Sequence, residues 1–194
     1  MPNIIRSLAI LAWLLLASLT PSPATADPEP RTAPRWDIAE WLNPPGPTLA
    51  ELRGKVVVLD FFQLWCPGCN RFSIPLMKHW QEKVFARETR SGRLVFVSIH
   101  SVFEGHAYQS PRRLRRFVKQ KGIAHPVGID RHSPGQRVPE TMLRYNVMGT
   151  PEMVFIDKQG KIRFQHFGFF EPKQGEMLIR ALLAEAKRDD ISTR

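Results

Sequence analysis

Two short apolar runs frame the middle of the chain. Val56-Val57-Val58-Leu59-Asp60-Phe61-Phe62 follows Gly54, and Leu94-Val95-Phe96-Val97-Ser98-Ile99-His100 follows the turn Ser91-Gly92. Both are rich in β-branched and aromatic residues, so 55–62 and 93–100 read as buried strands. The stretch from Cys66 to about Arg87 between them carries helical periodicity, and Pro75 inside it predicts a kink. Strand, helix, strand in that order predicts a right-handed parallel βαβ unit. Further on, 126–129 reads as a short strand and 140–145 as a helix. Residues 152–156 and 161–166 flank Asp157-Lys158-Gln159-Gly160 as an antiparallel hairpin. Residues from Pro172 to about Arg188 form a last amphipathic helix. Thr48 and Glu51 make a capping box for a short helical turn after the turn-rich Asn43-Pro44-Pro45-Gly46-Pro47. The expectation is an α/β fold with a central mixed sheet flanked by helices and no internal repeat.

The N-terminal segment has a different pattern. Arg6 precedes an apolar run over 8–19, then Pro21, Pro23 and the small-x-small site Ala24-Thr25-Ala26. That is the anatomy of a secretory signal peptide over 1–26, and the run is shorter than the roughly 20 residues that span a bilayer. A periplasmic or otherwise extracytoplasmic location follows after cleavage, and a membrane-anchored one if the signal is retained. Residues 27–35 read as a proline-rich mobile tether, 36–188 as one domain and 189–194 as a tail.

The net charge is +10. An exported protein meets little nucleic acid, so none is expected as a partner. The densest basic cluster, Arg112-Arg113-Leu114-Arg115-Arg116-Phe117-Val118-Lys119-Gln120-Lys121, has its apolar residues at helical spacing. It therefore reads as an amphipathic helix over 111–121. Its cations are either a solvated face or an electrostatic dock for an acidic partner or an anionic membrane surface.

Chemistry concentrates at Trp65-Cys66-Pro67-Gly68-Cys69, which holds both cysteines of the chain. Two thiols three positions apart at a helix start can close a disulfide, and the helix N-terminus favours a thiolate. A strand running into C-x-x-C at a helix start is foremost a redox device. Structural zinc needs four ligands, and the chain has no second C-x-x-C. A purely structural disulfide closing so short a loop gains little. A copper carrier of the Sco type would want wider cysteine spacing and a nearby histidine, though a soft thiolate pair can hold Cu(I). No metal and no cofactor is expected beyond the redox-active disulfide Cys66–Cys69.

These motifs resemble the thioredoxin superfamily, and within it the exported TlpA/ResA/DsbE-like branch. The resemblance rests on the lead-in 49–58, on Trp65 before the first cysteine, and on Tyr145-Asn146-Val147-Met148-Gly149-Thr150-Pro151 followed by the hairpin. It spans about residues 36–187. It implies a thioredoxin-like fold and a cis Thr150–Pro151 bond that exposes the Thr150 backbone to an extended substrate. It also implies a reductant of protein disulfides, served by a membrane thiol-electron donor, with clients such as apocytochrome c and copper-site assembly proteins. Pro75 lies one position later than the helix proline of most relatives. That shift predicts a displaced kink or a locally altered helix start.

Roles follow for each residue. Cys66 caps the helix and attacks, and Cys69 lies deeper and resolves the mixed disulfide. Pro67 suits the first helical position, and Gly68 lets a substrate strand approach. Trp65 is packing or flanks the substrate groove. Alternation with Val56 and Val58 turns Asp60 inward, where it would take the proton of Cys69; the rival reading points it to solvent. Glu104 is the alternative acid. A monomer is expected, and a non-enzymatic partner-binding or copper-carrying module remains the other reading.

Overall fold

The computed structural model describes residues 30–186; the signal-peptide segment 1–26 and the tail 189–194 lie outside them. Six strands form one mixed sheet: β1 (Ile38–Leu42), β2 (Val56–Phe62), β3 (Leu94–His100), β4 (Val127–Asp130), β5 (Glu152–Ile156) and β6 (Ile162–Phe167), in the order β1-β4-β3-β2-β5-β6. β2 pairs parallel with β3 and antiparallel with β5; β3 pairs parallel with β4, and β1 and β6 close the edges antiparallel. Every residue of β2 is buried. Val56 and Val58 join one apolar layer with Met77, Trp80 and Ile179, while Val57, Leu59 and Phe61 join another with Tyr145 and Val154. A strand apolar on both faces is buried on both faces, as the run 56–62 requires.

A continuous helix, α1, covers 67–84. It is followed by α2 (Ala86–Arg90), α3 (Pro111–Lys121), α4 (Glu140–Tyr145) and α5 (Pro172–Ala184). Among the described residues no helix is long and apolar enough to cross a membrane. α1 is not uniform: Cys69–Ser73 is a π turn, Ile74–His79 is α-helical and Trp80–Val84 is π again. A wide i→i+5 turn takes up one extra residue in a helix. The π turn between Cys69 and Pro75 thus accommodates the late proline, which opens the α-helical segment that follows, where its missing N–H is tolerated.

One element went unread in the sequence and one expectation is corrected. β1 carried no legible strand pattern: its residues are half-buried or exposed without alternation, and its register shifts between Ile38 and Glu40. The tether is not mobile throughout. Ala33 N–H donates to Gly160 O at 2.9 Å, Ile162 N–H donates to Arg31 O at 2.8 Å, and Thr32 bridges Lys161. Backbone groups that the β5–β6 turn leaves open are satisfied by this segment, which buries Ala33.

Candidate active site

Cys66 stands immediately before α1, and its sulfur accepts the Cys69 N–H at 3.0 Å. Asn70 N–H donates to Cys66 O at 3.1 Å, completing the first helical turn. Cys66 is therefore the N-cap and Pro67 the first helical residue. The Cys69 N–H is one of the orphan donors at a helix start, and it would hold a thiolate as readily as it holds the present sulfur. Cys66 and Cys69 are joined as a disulfide with Cα atoms 5.3 Å apart. Cys66 keeps 6% of its surface exposed and Cys69 none. Both sit in an apolar cluster with Phe62, Ile74 and, from α3, Leu114 and Val118.

The Thr150–Pro151 bond is cis. It brings the Pro151 ring against Gly68, where a Cβ would lie 2.7 Å from Pro151 Cδ. The glycine thus admits the protein's own proline as well as any substrate. Glu152, buried at the start of β5, accepts the Met148 N–H at 2.8 Å and also bonds Gln165, fixing the 148–151 loop from below. Pro44–Pro45 is a second cis bond, which sequence reading missed.

Around the cysteines lies an open groove of about 620 Å³, lined by Trp65, Cys66, Pro67, Gly68, Thr150 and Pro151, with Phe103, Glu104, Met148, Phe167 and Phe169 as further walls. All six substrate-facing or attacking positions named from sequence line this groove, four from the segment 65–68 and two, Thr150 and Pro151, from the loop before β5. The rim is apolar and open: Met148 is 81% exposed, Phe169 66% and Trp65 47%. Exposed apolar patches of this kind mark docking surfaces.

Asp60 lies apart from the groove. It is fully buried on the face of β2 that α1 covers, where Ser73 Oγ donates to its Oδ2 at 3.2 Å. Its Oδ1 has no partner among the described residues. Burial pushes its pKa from 3.8 up to about 8, against the smaller opposing effect of the Ser73 hydroxyl. Ser73 is one turn beyond Cys69 on the same helix, so the carboxyl sits beneath the helix that carries Cys69. Glu104 is exposed on the groove wall.

Gln63 and Gln109, neither singled out from sequence, brace the active-site turn. Gln63 Nε2 donates to Ser101 O at 3.1 Å and its Oε1 accepts the Trp65 indole N–H at 2.7 Å. Gln109 Oε1 accepts the Leu64 N–H at 3.0 Å while its Nε2 donates to Glu104 O at 2.9 Å. Those two partners fix the amide's orientation, so the third contact, to His100 Nε2 at 3.1 Å, makes that ring nitrogen the donor. Burial pushes the pKa of His100 down to about 4, in keeping with a neutral ring.

The AhpC/TSA family model matches residues 46–165. The chain belongs to the AhpC/TSA family. Within it, the thiol-disulfide oxidoreductase ResA of Bacillus thuringiensis is 31% identical over 134 residues, covering 69% of this chain and 67% of that protein. Protein DipZ of Mycobacterium tuberculosis is 29% identical over 154 residues, or 77% of this chain, and the chain spans only 20% of DipZ. A thiol-disulfide isomerase from Corynebacterium glutamicum superposes with a TM-score of 0.71 at 36% identity, covering 79% of this chain and 98% of that one. A thioredoxin-like superfamily protein superposes at 0.73 with 37% identity, covering 80% and 97%. The thioredoxin-like fold and the kinship with ResA-type proteins that the motifs implied are borne out.

Proposed function

We propose that the protein is an exported thiol–disulfide oxidoreductase that reduces disulfides of client proteins. The observation that carries this reading is the redox pair itself. Cys66 caps α1 on the floor of an open apolar groove, and Cys69 is sealed beneath it.

In the reduced protein the Cys66 thiolate attacks one sulfur of a client disulfide. The Cys66–client bond forms, the client S–S bond breaks, and the departing client thiolate takes a proton. Cys69 then gives up its proton and attacks Cys66 Sγ. The mixed disulfide breaks, the second client sulfur leaves as a thiolate that takes a proton from water, and the Cys66–Cys69 disulfide closes. Two electrons pass from the pair to the client, the client's two protons are balanced by those lost when the Cys66 and Cys69 thiolates form, and a dithiol donor at the membrane restores the pair. Asp60, with its pKa near neutrality, receives the Cys69 proton within the helix–sheet layer; a buried base poised near the working pH suits that step. Substrate main chain pairs with the exposed edge at Thr150.

The kinship with ResA-type proteins supports the reaction class. The signal-like segment 1–26 supports export. The reductant direction rests on the resemblance. The test is a redox titration of the pair together with mixed-disulfide trapping by Cys69→Ala. Stable adducts through Cys66 and a potential below that of the client disulfides are expected. A Cys69→Ala protein that captures no disulfide-bearing protein, with a pair that stays oxidised against strong dithiols, would refute catalysis in favour of a binding-only module.

A further inference from the structure

Helix α3 carries six basic side chains in 11 residues: Arg112, Arg113, Arg115, Arg116, Lys119 and Lys121. Two of them pack on aromatic rings, Arg113 on Tyr108 and Lys121 on Phe117, and Lys119 and Lys121 suit the last turn of the helix. Among the described residues only Arg115 reaches a carboxylate, that of Glu40. Arg112 and Arg116 are one turn apart, as are Arg115 and Lys119, spacings at which like charges repel. Arg112 and Arg113 occupy the first turn, which has no acidic residue and where the helix dipole disfavours cations.

The helix that carries these cations packs next to the cysteines, and one of the cations, Arg113, connects to the groove. The buried face of α3, Leu114 and Val118, shares one apolar cluster with Cys66 and Cys69. At its start, the Arg113 guanidinium lies 5.0 Å from the centre of the Tyr108 ring, and Arg113 Nη1 donates to Tyr108 O at 3.3 Å. Tyr108, 63% exposed, stacks on Trp65 with centroids 6.4 Å apart and planes 19° off parallel. Trp65 is a wall of the groove over Cys66. A track therefore runs from the reactive sulfur across two stacked aromatic rings to Arg113, in the first turn of the cationic helix.

We propose that this track receives the acidic flank of the client. The client's disulfide sits over Cys66, and Asp or Glu residues a few positions along the same extended segment rest on Arg112, Arg113 and Arg116. The proposal builds on the oxidoreductase reading above and names its preferred substrates, proteins with acidic residues beside the disulfide. Charge complementarity supports it, since opposite charges across an interface speed encounter and suppress wrong partners. Continuity with the groove favours a client over a lipid surface, because whatever lies on Tyr108 and Arg113 is next to the cysteines.

The test follows single-turnover oxidation of the reduced protein by two synthetic disulfide peptides of one sequence, with Glu or with Gln at the positions flanking the disulfide. Hydroxyethyl disulfide, small and neutral, is the third probe. At low salt the Glu peptide should react on the order of tenfold faster than the Gln peptide. That ratio should fall toward one as salt shortens the screening length to roughly 10 Å and below. Arg112→Glu with Arg116→Glu should abolish or invert the ratio; Arg112→Gln with Arg116→Gln, which removes charge without adding repulsion, should bring it near one. A ratio near one in the unaltered protein, with the Gln peptide and hydroxyethyl disulfide both reduced, would overturn the acidic-client track and leave the redox reading intact. Failure to reduce any of the three probes would overturn the redox reading and this proposal with it. A ratio near one together with charge-dependent sedimentation on anionic-lipid vesicles would assign the cations to a membrane surface instead.

Discussion

Replacing Asp60 by Asn should stabilise the oxidised protein, and the gain should depend on pH. In the folded chain burial raises the carboxyl's pKa from 3.8 to about 8. Between those values the native state holds a proton that the unfolded state has lost. This group then favours unfolding increasingly as pH rises, so the contribution of Asp60 to stability falls across that window. Each pH unit is worth about 1.4 kcal/mol. At pH 7, a little over three units above 3.8, the ceiling is about 4 kcal/mol, of which relaxation and water penetration leave about 2 kcal/mol. Asparagine mimics the protonated acid: its carbonyl still accepts from Ser73 and its amide replaces the acid O–H, so the comparison isolates ionisation. Urea denaturation of both oxidised proteins from pH 4 to pH 8 measures the difference. It should be near zero at pH 4 and grow to about 2 kcal/mol by pH 7. A gain that is flat with pH, or absent, would mean that Asp60 titrates as an ordinary surface carboxylate and that the desolvation argument is wrong. The same variant should slow closure of the Cys66–Cys69 bond on a trapped mixed disulfide while leaving its formation nearly unchanged, and should flatten the pH profile of the closure step alone.

Burial lowers the pKa of both His100 and His125 from 6.5 to about 4, so each ring is neutral when folded. Their contribution is lost as pH falls from about 6.5 to 4, the reverse of Asp60; two rings outweigh one carboxyl there, and ring chemical shifts should show neither titrating above pH 5. In the reduced protein brief alkylation should label Cys66 first, because it keeps 6% of its surface exposed and Cys69 none; peptide mass spectrometry decides, and preferential labelling of Cys69 would reverse the roles. Gly68 has helical backbone angles, where alanine alone would gain up to about 1 kcal/mol. Its new Cβ would meet Pro151 Cδ at 2.7 Å, and such overpacking costs about 1–3 kcal/mol. Gly68→Ala should therefore lower the melting temperature and slow thiol–disulfide exchange, and a raised melting temperature would show that the proline contact yields easily.

The elements whose side chains alternate or run apolar were legible from the chain itself. β2, β3 and the β5–β6 hairpin are written in Val, Ile and Phe, and the C-x-x-C pair declares its chemistry by spacing and by the strand before it. The identity of the reactive groups is local information. β1 was hidden because an edge strand buries too little to impose a pattern. The Arg31–Ala33 segment was misread because pairing with a distant turn, not its own prolines, orders it. Pro75 gave a hint that a turn was altered, but the π turn at Cys69–Ser73 became definite only when the helix packed on the sheet. What the tertiary structure alone decided is which distant residues share a boundary with the cysteines. The parallel crossover delivers the 101–109 loop and its Gln109 to the backbone of Leu64. The antiparallel return of β5 sets Pro151 on Gly68, and the packing of α1 over β2 desolvates Asp60 and raises its pKa. The first two are contacts between segments tens of residues apart, created by burial that no local pattern encodes; the third joins neighbouring elements, and there alternation showed which way Asp60 turns while packing decided how completely it is desolvated.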